Sequence, residues 1–169
     1  MKFIKKYFKE IFAGLIIGLI LLNVIQRFFI IATIPSESMQ TTLMVSDKVY
    51  IKTNIKDMER GKIYTFIKDD NYLIKRCIGI GGDHIQIKDN DVYLNGELLN
   101  ESYISSDILD SDHFDLDIIV PEGKLFFLGD NRMFSYDARF WDDKFVNEED
   151  VIGLATTIIY PFNRIKGLY

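Results

Sequence analysis

Apolar and polar positions divide this 169-residue chain into two unlike parts. From Ile11 to Ala32 the sequence IFAGLIIGLILLNVIQRFFIIA carries Arg27 as its only charge. Such a run predicts a single apolar helix; at ~1.5 Å per residue it would reach ~33 Å, close to the hydrocarbon thickness of a bilayer. Beyond Pro35 the period shortens to two, and strands are predicted at Lys48–Lys52, Lys62–Ile67, Tyr72–Ile80, His84–Lys88 and Val92–Leu94. Asn95-Gly96 is a strong hairpin signal leading into Glu97–Leu99. Further strands are expected at Ile118–Val120, Lys124–Leu128 and Val151–Tyr160, and short helical turns only at Thr41–Met44 and Asn147–Asp150. The fold class expected is mainly β, an antiparallel coiled sheet or small barrel behind one N-terminal transmembrane helix. Three segments follow: a basic segment over 1–10, the helix over 11–32, and a β-rich catalytic domain over 33–169.

Charge gives that picture a direction. The formal net charge is −5, yet Lys2, Lys5, Lys6 and Lys9 against Glu10 leave the first ten residues at +3 and the rest at −8. Lysines flanking the near end of an apolar run place that end in the cytoplasm. The expectation is a single-pass plasma-membrane protein with its β domain on the outer face and membrane lipid as a partner. Two readings compete: a cleavable leader, for which the run is long and no clear small-x-small site precedes Ile34, and a buried core helix, though ~20 residues with no polar face fit lipid better than water. The acidic balance argues against nucleic acid as a partner. Cys77 is the single cysteine, so no intrachain disulfide can form. Residues 105–117 read as an acidic, solvated connection; the EF-hand spacing and its glycine are missing, so no metal site is expected.

Candidate chemistry lies at three places. Ser38, in Ile34-Pro35-Ser36-Glu37-Ser38-Met39, needs a base before its hydroxyl becomes a nucleophile. His84, beside Asp83 in an alternating strand, and His113, in the acidic stretch, both read as surface residues. Lys75 is the better base: alternation sends it to the same strand face as Leu73 and Cys77 while Arg76 points away. A lysine with pKa near ~10.4 must be desolvated to act at neutral pH. The third place is Gly129-Asp130-Asn131-Arg132 with Ser135, Asp137 and Arg139, where the charged groups suit an internal Asp–Arg network.

Together, Pro35-Ser36-x-Ser38-Met39 with Leu43, Lys75-Arg76 with Gly82-Asp83, and Gly129-Asp130-Asn131-Arg132-x-x-Ser135-x-Asp137-x-Arg139 resemble the ordered signature boxes of bacterial type I signal peptidases. The resemblance runs from the apolar segment to Gly153-Leu154-Ala155. It implies a serine endopeptidase that removes signal peptides from exported preproteins, without cofactor or metal; a monomer is the separate expectation for its assembly. Ser38 would be the nucleophile and Lys75 the general base. Ser36 and the Ser38 N–H would form the oxyanion hole; Ser135 would orient the Lys75 amine, with Asp130, Arg132, Asp137 and Arg139 in support. Ile34, Met39, Leu43 and Ile74 would line a small apolar pocket, and Tyr72–Ile74 would take the substrate as an added strand. Thr41, Ala138 and Asp142 depart from the family pattern without removing a catalytic group. Phe134, Phe140 and Trp141 are candidates for lipid contact, with core packing the blander reading. Three other readings compete. One is a dedicated Ser–Lys peptidase for a single pilin or conjugation protein. Another is a self-cleaving repressor, which would need a DNA- or partner-binding domain. The last is a non-catalytic membrane-anchored module, which should have lost Ser38 or Lys75.

Overall fold

The computed structural model describes residues 7–104 and 114–168, and for residues 22–29 the backbone alone. The helix α1 (Phe8–Phe28) precedes twelve strands: β1 (Phe29–Thr33), β2 (Lys48–Lys52), β3 (Ile63–Lys68), β4 (Asn71–Ile80), β5 (His84–Lys88), β6 (Asp91–Leu94), β7 (Glu97–Leu98), β8 (Leu116–Ile119), β9 (Lys124–Leu128), β10 (Val146–Asn147), β11 (Val151–Tyr160) and β12 (Lys166–Gly167). Eight of them form one antiparallel sheet in the order β1-β2-β11-β3-β4-β9-β10, with β12 added on β11. The other four form a second sheet, β7-β6-β5-β8. The mainly-β expectation therefore holds, and most predicted strands fall within a residue or two of their place.

The expected transmembrane helix is corrected. Among the described residues no helix is long and apolar enough to cross a membrane. The apolar run does not stay helical to Ala32. Its last residues leave the helix at Phe28 and form β1, which pairs with β2 from Phe29↔Lys52 to Thr33↔Lys48. Within α1, Lys9 and Glu10 lie at one end and Asn23, Gln26 and Arg27 at the other. The unbroken apolar stretch between them, Ile11–Leu22, is 12 residues. That gives ~18 Å of helix against a hydrocarbon layer of ~30 Å. With the span goes the support for a single-pass plasma-membrane topology with the β domain outside. The basic residues Lys2, Lys5 and Lys6, and most of the acidic stretch including His113, lie outside the described residues.

Turn chemistry sets the strand registers. Asn95 and Gly96 both take positive φ (52° and 86°) between β6 and β7, the type I′ geometry that Asn-Gly suits. The same pairing of positive φ recurs at Asp69-Asp70 between β3 and β4, and at Asp89-Asn90 between β5 and β6, residues whose short polar side chains tolerate the left-handed region. Inward faces then meet in two cores. One joins both sheets through Phe66, Phe127, Ile78, Ile85, Val120 and Trp141, with the rings of Phe66 and Phe127 stacked 4.3 Å apart. Such a ring pair adds ~0.5–1.5 kcal/mol beyond the area it buries. The other packs Ile34, Met39 and Leu43 from the Ser38 loop against Val49, Ile51, Ile63, Ile74, Ala155 and Ile158. That second core fixes the loop that carries the candidate nucleophile.

Candidate active site

Ser38 sits on the loop between β1 and β2, and Lys75 halfway along β4. β4 is paired with β3 through residues 71–76, and β9 joins its other side only from Arg76 onward. Lys75 therefore lies on an unpaired strand edge, directed into a cleft of about 460 Å³. Residues of β1 and the Ser38 loop form one wall (Ile30, Ala32, Ile34, Ser36), and Tyr72, Leu73, Ile74 and Lys75 form the facing one. The Lys75 ammonium nitrogen stands 2.5 Å from Ser38 Oγ, and both residues are buried (4% and 6% exposed). Ser36 Oγ lies 3.3 Å from Ser38 Oγ at the more open side of the loop.

Burial pushes the Lys75 amine down from 10.5 to about 8; the negative charges of Asp137 and Asp130 oppose that push, and Arg139 adds to it. Desolvation wins because water can no longer solvate the ammonium and no carboxylate touches it. A tenth or so of the amine is therefore neutral at pH 7, enough to accept a proton.

The third sequence cluster holds the Ser38 loop from behind. The Asn131 N–H donates to the Ser38 carbonyl and its side-chain amide to the Glu37 carbonyl, each at 3.1 Å. Asp137 accepts from the Gly129 N–H at 2.9 Å and from Arg139, which also reaches the carbonyls of Arg132 and Ser135. Asp130 takes both ends of the Arg76 guanidinium, at 2.8 and 2.5 Å, and the Thr42 hydroxyl at 2.5 Å. Arg132 donates to the Gly129 carbonyl at 3.0 Å. Gly129 has no room for a side chain: a Cβ there would lie 2.1 Å from Ser135 Oγ and 2.5 Å from the Ser38 carbonyl.

Of the expected site residues, some lie at the cleft and some do not. Ser36, Ser38 and Lys75 come together, and Ile34, Tyr72, Leu73 and Ile74 line the cleft. Met39 and Leu43 are fully buried beneath it in the second core rather than on its surface. Ser135 is buried with its hydroxyl making no hydrogen bond, so the contact expected to orient Lys75 is not formed here. Trp141 is a core residue, whereas Phe134 and Phe140 are exposed. His84 pairs with Asp117 on the exposed side of the second sheet, at 2.6 Å, and takes no part in the cleft. Alternation in β4 had already sent Arg76 away from Lys75, but its partner Asp130 is 54 residues distant and nothing local announced it. No group of three or more metal-ligating side chains occurs among the described residues.

A buried Ser–Lys pair at the end of an apolar cleft on a β scaffold defines a serine peptidase of the Ser–Lys type. Residues 4–160 match the signal peptidase family, peptidase S26, and the chain belongs to it. It is 31% identical over 166 residues to signal peptidase I P of Bacillus subtilis subsp. natto, covering 90% of this chain and 89% of that one. A probable signal peptidase I-2 of Synechocystis is 35% identical over 144 residues, 78% of this chain and 63% of the relative. Among solved structures, a signal peptidase I from Enterococcus faecalis superposes with a TM-score of 0.51 at 32% identity, covering 61% of this chain and all of the other.

Proposed function

We propose that this peptidase cuts signal peptides from exported preproteins with Ser38 as nucleophile and Lys75 as general base. The observation that carries the reading is the 2.5 Å contact between the Lys75 amine and Ser38 Oγ, buried at the end of the cleft. A substrate segment would lie extended between β1 and the unpaired edge of β4, adding main-chain hydrogen bonds beside Tyr72–Ile74. Apolar walls from Ile34 and Ile74 next to the serine favour small side chains at the scissile position. The neutral Lys75 amine takes the Ser38 proton as Oγ bonds to the scissile carbonyl carbon. Negative charge on the carbonyl oxygen is met by the Ser38 N–H and the Ser36 hydroxyl, donors aimed where charge develops. The Lys75 ammonium then returns its proton to the leaving amine as the peptide C–N bond breaks. Water, deprotonated by the same amine, hydrolyses the acyl ester and restores the serine.

Both members of the pair come from one chain, and the enzyme is read as a monomer. Of the three aromatic candidates for lipid contact, Phe134 and Phe140 are exposed and available for it, whereas Trp141 is in the core. The test is cleavage of a preprotein with an Ala-x-Ala site by wild type, Ser38→Ala and Lys75→Ala. Correct cleavage by wild type and near-complete loss in both variants is expected. An active Lys75→Ala enzyme would refute the assigned base, and an intact preprotein with wild type would refute the substrate class.

A further inference from the structure

The segment after β7 makes a turn at residues 101–104, closed by the Ile104 N–H donating to the Glu101 carbonyl at 2.9 Å. Its two side chains grip the arginines that support the catalytic loop. The Glu101 carboxylate accepts from the Arg132 guanidinium and, at 2.6 Å, from the Tyr103 hydroxyl. The Tyr103 ring lies against the face of Arg76, 3.8 Å from guanidinium to ring centre. A half-buried phenol favours an acceptor, and desolvation together with Glu101 pushes its pKa up, so Tyr103 stays the donor. Arginine suits this double use: its flat face stacks on the ring while its edge makes paired bonds to Asp130.

Both arginines lead to the nucleophile. Arg132 holds the Gly129 carbonyl, Arg76 holds the Asp130 carboxylate, and the next residue, Asn131, donates to the Ser38 carbonyl. Among the described residues, Glu101 completes a set of three ion pairs behind the catalytic loop: Arg76 with Asp130, Arg139 with Asp137, and Arg132 with Glu101. Without Glu101, the buried Arg132 charge would have no carboxylate partner among the described residues, which destabilises the position from which it holds Gly129.

We infer that Glu101 and Tyr103 are positioning residues for the reaction, a brace that fixes Arg76 and Arg132 and through them the Gly129–Asn131 turn against Ser38. The role rests on the assignment of Ser38 and Lys75 above. Since a displacement of about 1 Å at reacting atoms costs on the order of 10²-fold in rate, partial loosening of the turn should show in kcat.

The experiment compares wild type, Ser38→Ala, Glu101→Gln, Tyr103→Phe, Tyr103→Leu and Ser102→Ala on a peptide with an Ala-x-Ala site. It also follows backbone hydrogen exchange over residues 129–132. Glu101→Gln and Tyr103→Leu should lower kcat roughly tenfold or more with KM within about twofold, since the substrate cleft is untouched. Tyr103→Phe, which keeps the ring on Arg76, should recover most of what Tyr103→Leu loses; Ser102→Ala, with an exposed side chain, should behave as wild type. Exchange at 129–132 should accelerate in the two damaging variants. Unchanged kcat with only a lower melting temperature overturns the inference, as does unchanged exchange. If wild type and Ser38→Ala are equally inactive, the catalytic assignment fails, and exchange at 129–132 alone decides whether the brace exists.

Discussion

Replacing Lys75 by Met should make this protein inactive and, at neutral pH, more stable. The fold holds the amine at a pKa of about 8 where a free lysine has 10.5. At about 1.4 kcal/mol per unit, burying the charged form below pH 8 costs the native state about 3 kcal/mol. Methionine fills nearly the same length without a charge to desolvate. It forfeits the hydrogen bond to Ser38 Oγ, which contributes about 1 kcal/mol, so the net gain at pH 7 should be about 2 kcal/mol. Between pH 8 and 10.5 the unfolded lysine keeps a proton that the folded one has released. Raising pH through that window therefore stabilises wild type and leaves Lys75→Met unmoved by this group. Above it, wild type should be the more stable by about 1 kcal/mol. Urea unfolding of both proteins from pH 7 to 11, read as the difference between them, isolates the effect from other titrations. The rate profile supplies the companion measurement, because kcat/KM should fall on the acid side with an apparent pKa of about 8. Parallel stability curves across the window, or a variant less stable at pH 7, would refute the claim that burial sets the lysine's pKa.

Three other substitutions probe separate parts of the site. Gly129→Ala places a Cβ 2.5 Å from the Ser38 carbonyl and should cost ~1–3 kcal/mol of stability along with activity; a normal melting temperature and rate would show that the close approach is not required. Ser36→Ala removes one oxyanion donor and should lower kcat by ~10²–10³ with KM little changed; a pure KM effect would assign Ser36 to binding instead. Asp130→Asn leaves the Arg76 charge buried without its carboxylate and should destabilise by ~3–5 kcal/mol in denaturant unfolding, against which a near-neutral result would count heavily.

The parts of this molecule legible in its sequence are those governed by neighbours a few residues apart. Alternation marked β4 and set Lys75 and Arg76 on opposite faces, and Asn95-Gly96 announced its hairpin with the dihedrals it adopts. Apolar character misled at residues 29–32, because Phe, Ile and Ala serve a helix in lipid and a sheet strand equally well. What decides between them is β2, some twenty residues later, whose edge β1 completes. The brace was hidden for the same reason: Glu101 and Arg132 are 31 residues apart, and neither carries a local signal of the other. Ser135 is the reverse case, a residue singled out by its motif whose hydroxyl stands unbonded in the folded chain.

The charges around Lys75 follow from what its chemistry requires. A neutral amine is favoured by burial, yet a site with unpaired carboxylates close by would draw the proton back, as Asp137 and Asp130 do in part. Each of those aspartates is therefore tied to an arginine, Asp130 to Arg76 and Asp137 to Arg139. These pairs put most of the field of each carboxylate into its partner while leaving its oxygens free to hold Gly129 and Thr42. Arginine suits the task better than lysine because it stays charged in burial and cannot compete with Lys75 as a base. Surrounding Lys75 with arginines that are each held by a carboxylate is thus a way to keep one titratable amine beside the serine while Arg76, Arg132 and Arg139 stay charged and in place.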